Sequence, residues 1–242
     1  MIDSLVEKLE KKVVLADGAM GTYFSQKYMT EMEAEEANIA TPERIIAIHK
    51  EYIEAGAELI RTNTFAVNHG LFAEAERRKE VIEAAVANAR EAVRQSRKEV
   101  VVAASVGPIR QSAEEEDGEI WKEYTQMLDV FYTLGIRVFL FETFSELRWL
   151  PKLAKYCKNK EEQTVVIAEL ALNPMGYTQH GFGMTEILQE LTSDVNFDIV
   201  GFNCGVGALH MKKLLQSQKF PKEFLLSVFP NAGYPGKNSG VP

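Results

Sequence analysis

Seven short apolar or β-branched runs punctuate the chain: Val13–Ala16, Glu58–Arg61, Val100–Ala104, Arg137–Phe141, Thr164–Leu170, Asp198–Phe202 and Phe224–Phe229. Most are nearly continuous rather than alternating, the pattern of strands covered on both faces. Between them the apolar spacing becomes helical. Ser4 and Glu7 form a capping-box pattern ahead of Leu5, Val6 and Leu9, which predicts a short helix before the first strand. Thr41-Pro42-Glu43 reads as an N-cap, a first-turn proline and a first-turn acid. That helix runs through Ile45, Ile48, His49 and Ile53 to Gly56, which ends it with positive φ. Further helices are predicted at about Lys79–Gln95, Ile120–Leu134, Glu146–Tyr156, Glu186–Leu191 and Ala208–Gln216. The acidic stretch Glu114–Glu119 reads as a solvated loop, and Gly233–Pro242 as a loop with no element after it.

Strands alternating with helices imply a parallel sheet with right-handed crossovers. The chain has 242 residues, 46% hydrophobic and 26% charged, which suits a large core. No composition shift divides it, and an α/β barrel takes about 250 residues, so residues 1–242 read as one unit. The formal charge is −8, with no basic tract interleaved with aromatics, which speaks against nucleic-acid binding. Two cysteines, Cys157 and Cys204, exclude a disulfide framework and suggest reduced thiols in a cytoplasm. The N-terminal residues show no basic region followed by an apolar stretch, which argues against a signal peptide, and no apolar run of about 18 residues predicts a membrane span.

The residues suited to chemistry fall at the C-terminal ends of the predicted strands, where α/β barrels assemble their sites. Asp17 ends the first strand and opens the turn Asp17-Gly18-Ala19-Met20-Gly21-Thr22. Its glycines permit close ligand approach, and its amides could take a carboxylate. Asp17 and Glu142 could together hold an ammonium; equally, Asp17 could satisfy turn amides and Glu142 pair with Arg61 or Arg137. Asn63 and Thr64 could bind a ligand or cap the following segment. Cys204 could be a metal thiolate or a small buried hydrophobe. Cys157 lies at a charged helix end, and the four histidines show no metal-ligand spacing. Asn231, in Pro230-Asn231-Ala232-Gly233, is either a ligand or an ordinary turn asparagine.

In series, these segments resemble the homocysteine S-methyltransferase family. The pattern is Asp17–Thr22, Thr62-Asn63-Thr64-Phe65, Gly107-Pro108, Glu142-Thr143-Phe144, Gly201-Phe202-Asn203-Cys204 and Pro230–Gly233, in order over almost the whole chain. It is most similar to the homocysteine-binding modules of cobalamin-dependent methionine synthases, and to those fused to methylenetetrahydrofolate reductase. The resemblance implies a (β/α)8 barrel binding homocysteine at its rim. It assigns the amino group to Asp17 and Glu142, and the carboxylate to the amides of Gly18, Ala19, Met20, Gly21 and Thr22. Asn63, Thr64 and Thr143 join them as substrate-binding residues, with no separate catalytic acid or base. Cys204 is then one of three zinc thiolates, and Asn231 completes the zinc shell when substrate is absent. Zinc would lower the pKa of the homocysteine thiol, whose thiolate attacks an activated methyl group. The donor would be methylcobalamin charged from methyltetrahydrofolate, carried on other modules or a corrinoid protein, with a sulfonium donor as the alternative.

One departure stands out. The family's other two zinc ligands form a Cys-Cys pair in a Gly-Gly-Cys-Cys segment, and none occurs here. The expectation is therefore a barrel of about seven βα units lacking its last strand, inactive by itself and binding zinc weakly at best. It would be a truncated piece of a longer polypeptide, or a homodimer covering its open edges. A second reading is a degenerate relative that binds an amino acid without metal or catalysis. A third, a barrel acting on a phosphorylated substrate, fares worse, because no basic residue follows Asn231 before Lys237.

Overall fold

A computed structural model describes residues 3–220 and 224–232. Six strands lie in a parallel sheet in sequence order: β1 (Leu59–Arg61), β2 (Val101–Val106), β3 (Val138–Phe144), β4 (Val165–Leu170), β5 (Ile199–Gly207) and β6 (Leu225–Asn231). Nine helices are described: α1 (Asp3–Lys11), α2 (Gly21–Tyr28), α3 (Ala37–Ala40), α4 (Pro42–Glu54), α5 (Ala75–Ser96), α6 (Asp117–Thr133), α7 (Leu150–Lys160), α8 (Met184–Ser193) and α9 (Ala208–Gln216). The sheet curls into an incomplete α/β barrel of the TIM type.

Six of the seven expected strands form. The first shrinks to a single parallel bridge, Ala16 to Leu59. The segment still runs along β1, with Glu58 and Leu59 amides donating to Leu15 O and Asp17 N donating to Leu59 O. Its outer side has no neighbour among the described residues, and Val13 and Leu15 are exposed. A one-sided segment of this length does not hold a full ladder.

Helix positions differ where local chemistry decides them. Ser4 lies inside α1 rather than at its cap. α7 begins at Leu150, not Glu146, because Pro151 lacks an amide and fits only the first turn. The acidic loop is shorter than expected: Asp117 already belongs to α6, with Glu116 capping it through Glu119. The short helices α2 and α3 were not foreseen. The C-terminal loop from Gly233 onward lies outside the described residues.

Of four apolar clusters among the described residues, two hold the sheet and the site. The larger fills the space between sheet and helices, with Phe131, Phe139, Leu153, Val166 and Phe202 fully buried. The smaller lies inside the barrel: Leu59, Ala103, Val138, Leu140, Val165, Ile167 and Ile199, plugged from below by Leu5 of α1. No helix of the described residues is long and apolar enough to cross a membrane.

Candidate functional site

Side chains alternate along a strand, so the residue two steps beyond an inward apolar one also points inward. Those second positions are polar: Leu59 gives way to Arg61, Ala103 to Ser105, Leu140 to Glu142, Ile167 to Glu169 and Leu225 to Ser227. The register agrees, pairing Glu169 with Gly201 and Gly201 with Ser227 across β4, β5 and β6. An apolar lower wall therefore carries a polar layer at the C-terminal end of the strands.

Arg61 organises that layer. Its Nε donates to Asp17 Oδ1 at 2.7 Å and its backbone N to Asp17 Oδ2 at 2.9 Å. Nη1 donates to Glu142 Oε2 at 2.6 Å and Nη2 to Gly18 O at 2.7 Å. Ser105 Oγ donates to the other Glu142 oxygen at 2.5 Å. The Phe229 ring packs 4.9 Å from the guanidinium carbon. Both expected acids are thus brought together and share one guanidinium, whereas Arg137 pairs with Glu161. Each carboxylate oxygen still has a lone pair to offer.

Burial sets the electrostatics. It pushes the Asp17 carboxyl above its usual range, against the lowering pull of Arg61. Burial works against the Arg61 charge, but Asp17 and Glu142 outweigh it and hold the guanidinium ionised. Glu169, fully buried, is pushed up to about 8 by burial and by the charge of Glu142. Burial also raises the Cys204 thiol, opposed by a hydrogen bond from Thr143.

The glycine turn leads straight into α2, so the exposed amides beside Asp17 belong to a helix start at Gly21. Such an end attracts anions. Tyr52 steadies the turn, its hydroxyl donating to Ala19 O at 2.8 Å. Across the rim, Asn203 clasps β3: Thr143 N donates to its Oδ1 at 2.9 Å, and its Nδ2 donates to Thr143 Oγ1 at 2.7 Å. Thr143 Oγ1 lies 4.0 Å from Cys204 Sγ. Thr143 and Cys204 both have positive φ, 64° and 54°, and Gly205 follows at 69°. Strained residues held in this way cluster at functional sites.

Asn63 and Thr64 lie behind the rim. Asn63 Nδ2 donates to Ala34 O at 2.6 Å, and Thr64 Oγ1 to Ser105 O at 2.7 Å. Asn231 ends β6 opposite Gly207, with no hydrogen bond to Cys204 among the described residues. Cys157 is buried on α7, away from the rim. Zinc would need three or four good ligands. Among the described residues no group of three or more His, Cys, Asp or Glu is placed to hold a metal ion, and Cys204 is the one rim thiol. These residues do not fit a zinc centre.

Sequence reasoning missed Glu169 and the Asn203 clasp. The signal for Glu169 was a lone acid inside the apolar run Val165–Leu170.

A family model described as homocysteine S-methyltransferase matches residues 14–241. The chain belongs to the homocysteine S-methyltransferase family. It is 28% identical over 254 residues to the methionine synthase of Mycobacterium tuberculosis, and 26% identical over 252 residues to that of Mycobacterium leprae. Each alignment covers 96% of this chain but 21% of the relative, so the chain spans about a fifth of their length. Among solved structures, the metallated form of the homocysteine methyltransferase MmuM from Escherichia coli superposes with a TM-score of 0.77 at 20% identity, covering 94% of this chain and 86% of that one. Its apo form gives 0.71 at 21% identity, covering 93% and 84%. At that identity the likeness speaks for the barrel fold alone.

Proposed function

We propose that this chain is a homocysteine-binding module of a methyl-transferring enzyme that makes methionine. The observation that supports this reading best is the shared guanidinium: it gathers Asp17 and Glu142, from opposite parts of the sequence, beside the helix start at Gly21. The substrate ammonium takes the free lone pairs of those two carboxylates. Its carboxylate meets the amides of Gly18–Thr22 at the positive end of α2. Thr143 lines the same rim, and Asn63 and Thr64 support it from behind. The thiol then points toward Cys204 and open solvent, where a donor can approach. The sulfur must lose its proton, because the thiolate is the nucleophile; the methyl group passes to sulfur as its bond to the donor breaks. Zinc, cobalamin and folate enter only through the family resemblance, with Cys204 and Asn231 as the ligands it assigns, and no step is routed through them. The methyl donor's carriers would be other modules of a longer, cytoplasmic polypeptide or a separate corrinoid protein, and a homodimer is the alternative cover for the open sheet edges.

A second reading, an amino-acid binder without metal, draws support from the lack of a three-ligand group among the described residues. Calorimetry with homocysteine, with and without zinc, tests the second reading. Affinity that depends on zinc would remove it; equal affinity is what these residues lead either reading to expect, and the transfer of a methyl group then separates the two. Labelled-methyl transfer to homocysteine, by this chain and by any longer polypeptide that contains it, tests the activity, and failure with cobalamin, folate and sulfonium donors alike would remove the first reading.

A further inference from the structure

Glu169 is a third acid in the layer. Its side chain is wholly buried, yet one carboxyl oxygen, Oε2, has no hydrogen-bond partner. The other accepts the Ser227 hydroxyl. Ser227 sits two strands away, and Glu169 reaches it across Gly201, which carries no side chain. A Cβ at Gly201 would lie 2.0 Å from Ser227 O, so the residue between the two must be glycine. The charged and titratable groups that act on Glu169 are Glu142 on β3, Arg61 on β1 and Asp17 beside β1, and Glu169 in turn acts on Cys204 of β5.

The layer therefore holds three carboxyl groups, Asp17, Glu142 and Glu169, against one guanidinium, Arg61, which is already bonded to two of them. An unpartnered, buried carboxyl oxygen in such a setting calls for a partner the protein does not supply. We infer that Glu169 is a further substrate-binding residue, whose free oxygen receives an N–H of the ligand's ammonium and selects amino-bearing thiols over thiols without the amino group. This rests on the homocysteine reading above and deepens it. In the empty site Glu169 is a neutral acid, with its proton on the unpartnered oxygen and its other oxygen accepting from Ser227. When the ammonium arrives, Glu169 gives up its proton to solvent and becomes the counter-charge. No covalent bond changes.

Calorimetry of the 242-residue chain, in buffers of differing ionisation enthalpy at neutral pH, compares L-homocysteine with 4-sulfanylbutanoate, its equivalent without the amino group. The wild-type chain is expected to favour homocysteine by roughly tenfold or more and to release a proton with it alone. Glu169→Gln, close in shape to the neutral acid, is expected to lose the proton release and to reduce the preference to the part that Asp17 and Glu142 supply. Difference infrared spectroscopy on the wild type gives a readout independent of any variant's folding. The band of a protonated carboxyl should vanish with homocysteine and persist with the analogue. If Glu169→Gln keeps the full wild-type preference, or the band persists, the assignment to Glu169 fails while the homocysteine reading stands. If the wild type binds neither thiol, both fall.

Discussion

The lower and upper halves of the barrel interior are built from the same strands, two residues apart, and they solve opposite problems. Below, Leu59, Ala103, Leu140, Ile167 and Ile199 exclude water and ask only for volume. Above, Ser105, Glu142 and Glu169 are as buried as the floor, Arg61 and Ser227 are partly buried, and each needs a partner. A close-packed floor fixes where the strands end, and that fixes where the polar groups meet. Errors in the floor should cost stability alone, whereas errors in the polar layer should cost stability and selectivity together.

The largest effect expected is at Arg61. Arg61→Met leaves Asp17 and Glu142 buried without their shared cation, which should cost about 3–5 kcal/mol in urea unfolding. A loss below about 1 kcal/mol would mean that the layer is wet and its charges screened. On the floor, Leu140→Ala should cost about 2–5 kcal/mol through the cavity it opens. Its homocysteine affinity, corrected for the unfolded fraction, should not change; a specific loss of binding would erase the division between the halves.

Gly201→Ala tests the seam between them. The added methyl meets Ser227 backbone, so about 1–3 kcal/mol should be lost along with the Glu169–Ser227 contact. Thermal melting at several pH values would report both.

The pH profile sharpens the contrast further. Glu169 titrates near 8 in the folded chain against 4.5 as its ordinary value. Between those values the folded state holds a proton that the unfolded state lacks, so stability falls as pH rises through that window, by at most about 1.4 kcal/mol per unit. His49 acts in the opposite sense. Buried with both ring nitrogens unpartnered, it titrates near 4 rather than 6.5, so stability falls as pH drops through that range. Glu169→Gln should flatten the alkaline limb and leave the acid one. His49→Leu should do the reverse at a cost within about 1 kcal/mol, since it breaks no hydrogen bond.

The frame was legible because buried parallel strands print themselves as unbroken apolar runs, and six of the seven read that way became strands. Val13–Ala16 did not, because a strand needs a neighbour as well as a composition. Helix α2 was hidden by Gly-Ala-Met-Gly-Thr, which spells a turn until the helix that follows is seen. Asp17 and Glu142 were recognisable by their place at strand ends. The pairing of Glu142 with Arg61 stood among the alternatives; that Asp17 would close on the same guanidinium did not, since residues 44 positions apart carry no mark of their meeting. Glu169 escaped for a different reason: a lone acid among valines and leucines reads as noise in an apolar run, although its rarity was the signal.

That long reach of the guanidinium has a kinetic corollary. Bringing distant segments together is entropically slow, and contacts with large sequence separation are rewarded only after the intervening loops have closed. A nascent or refolding chain has no place for an aminothiol until the glycine turn, β1 and β3 have all docked. Acquisition of ligand affinity during refolding should lag behind the appearance of helix signal, making Arg61 a clock for the completion of this half of the molecule.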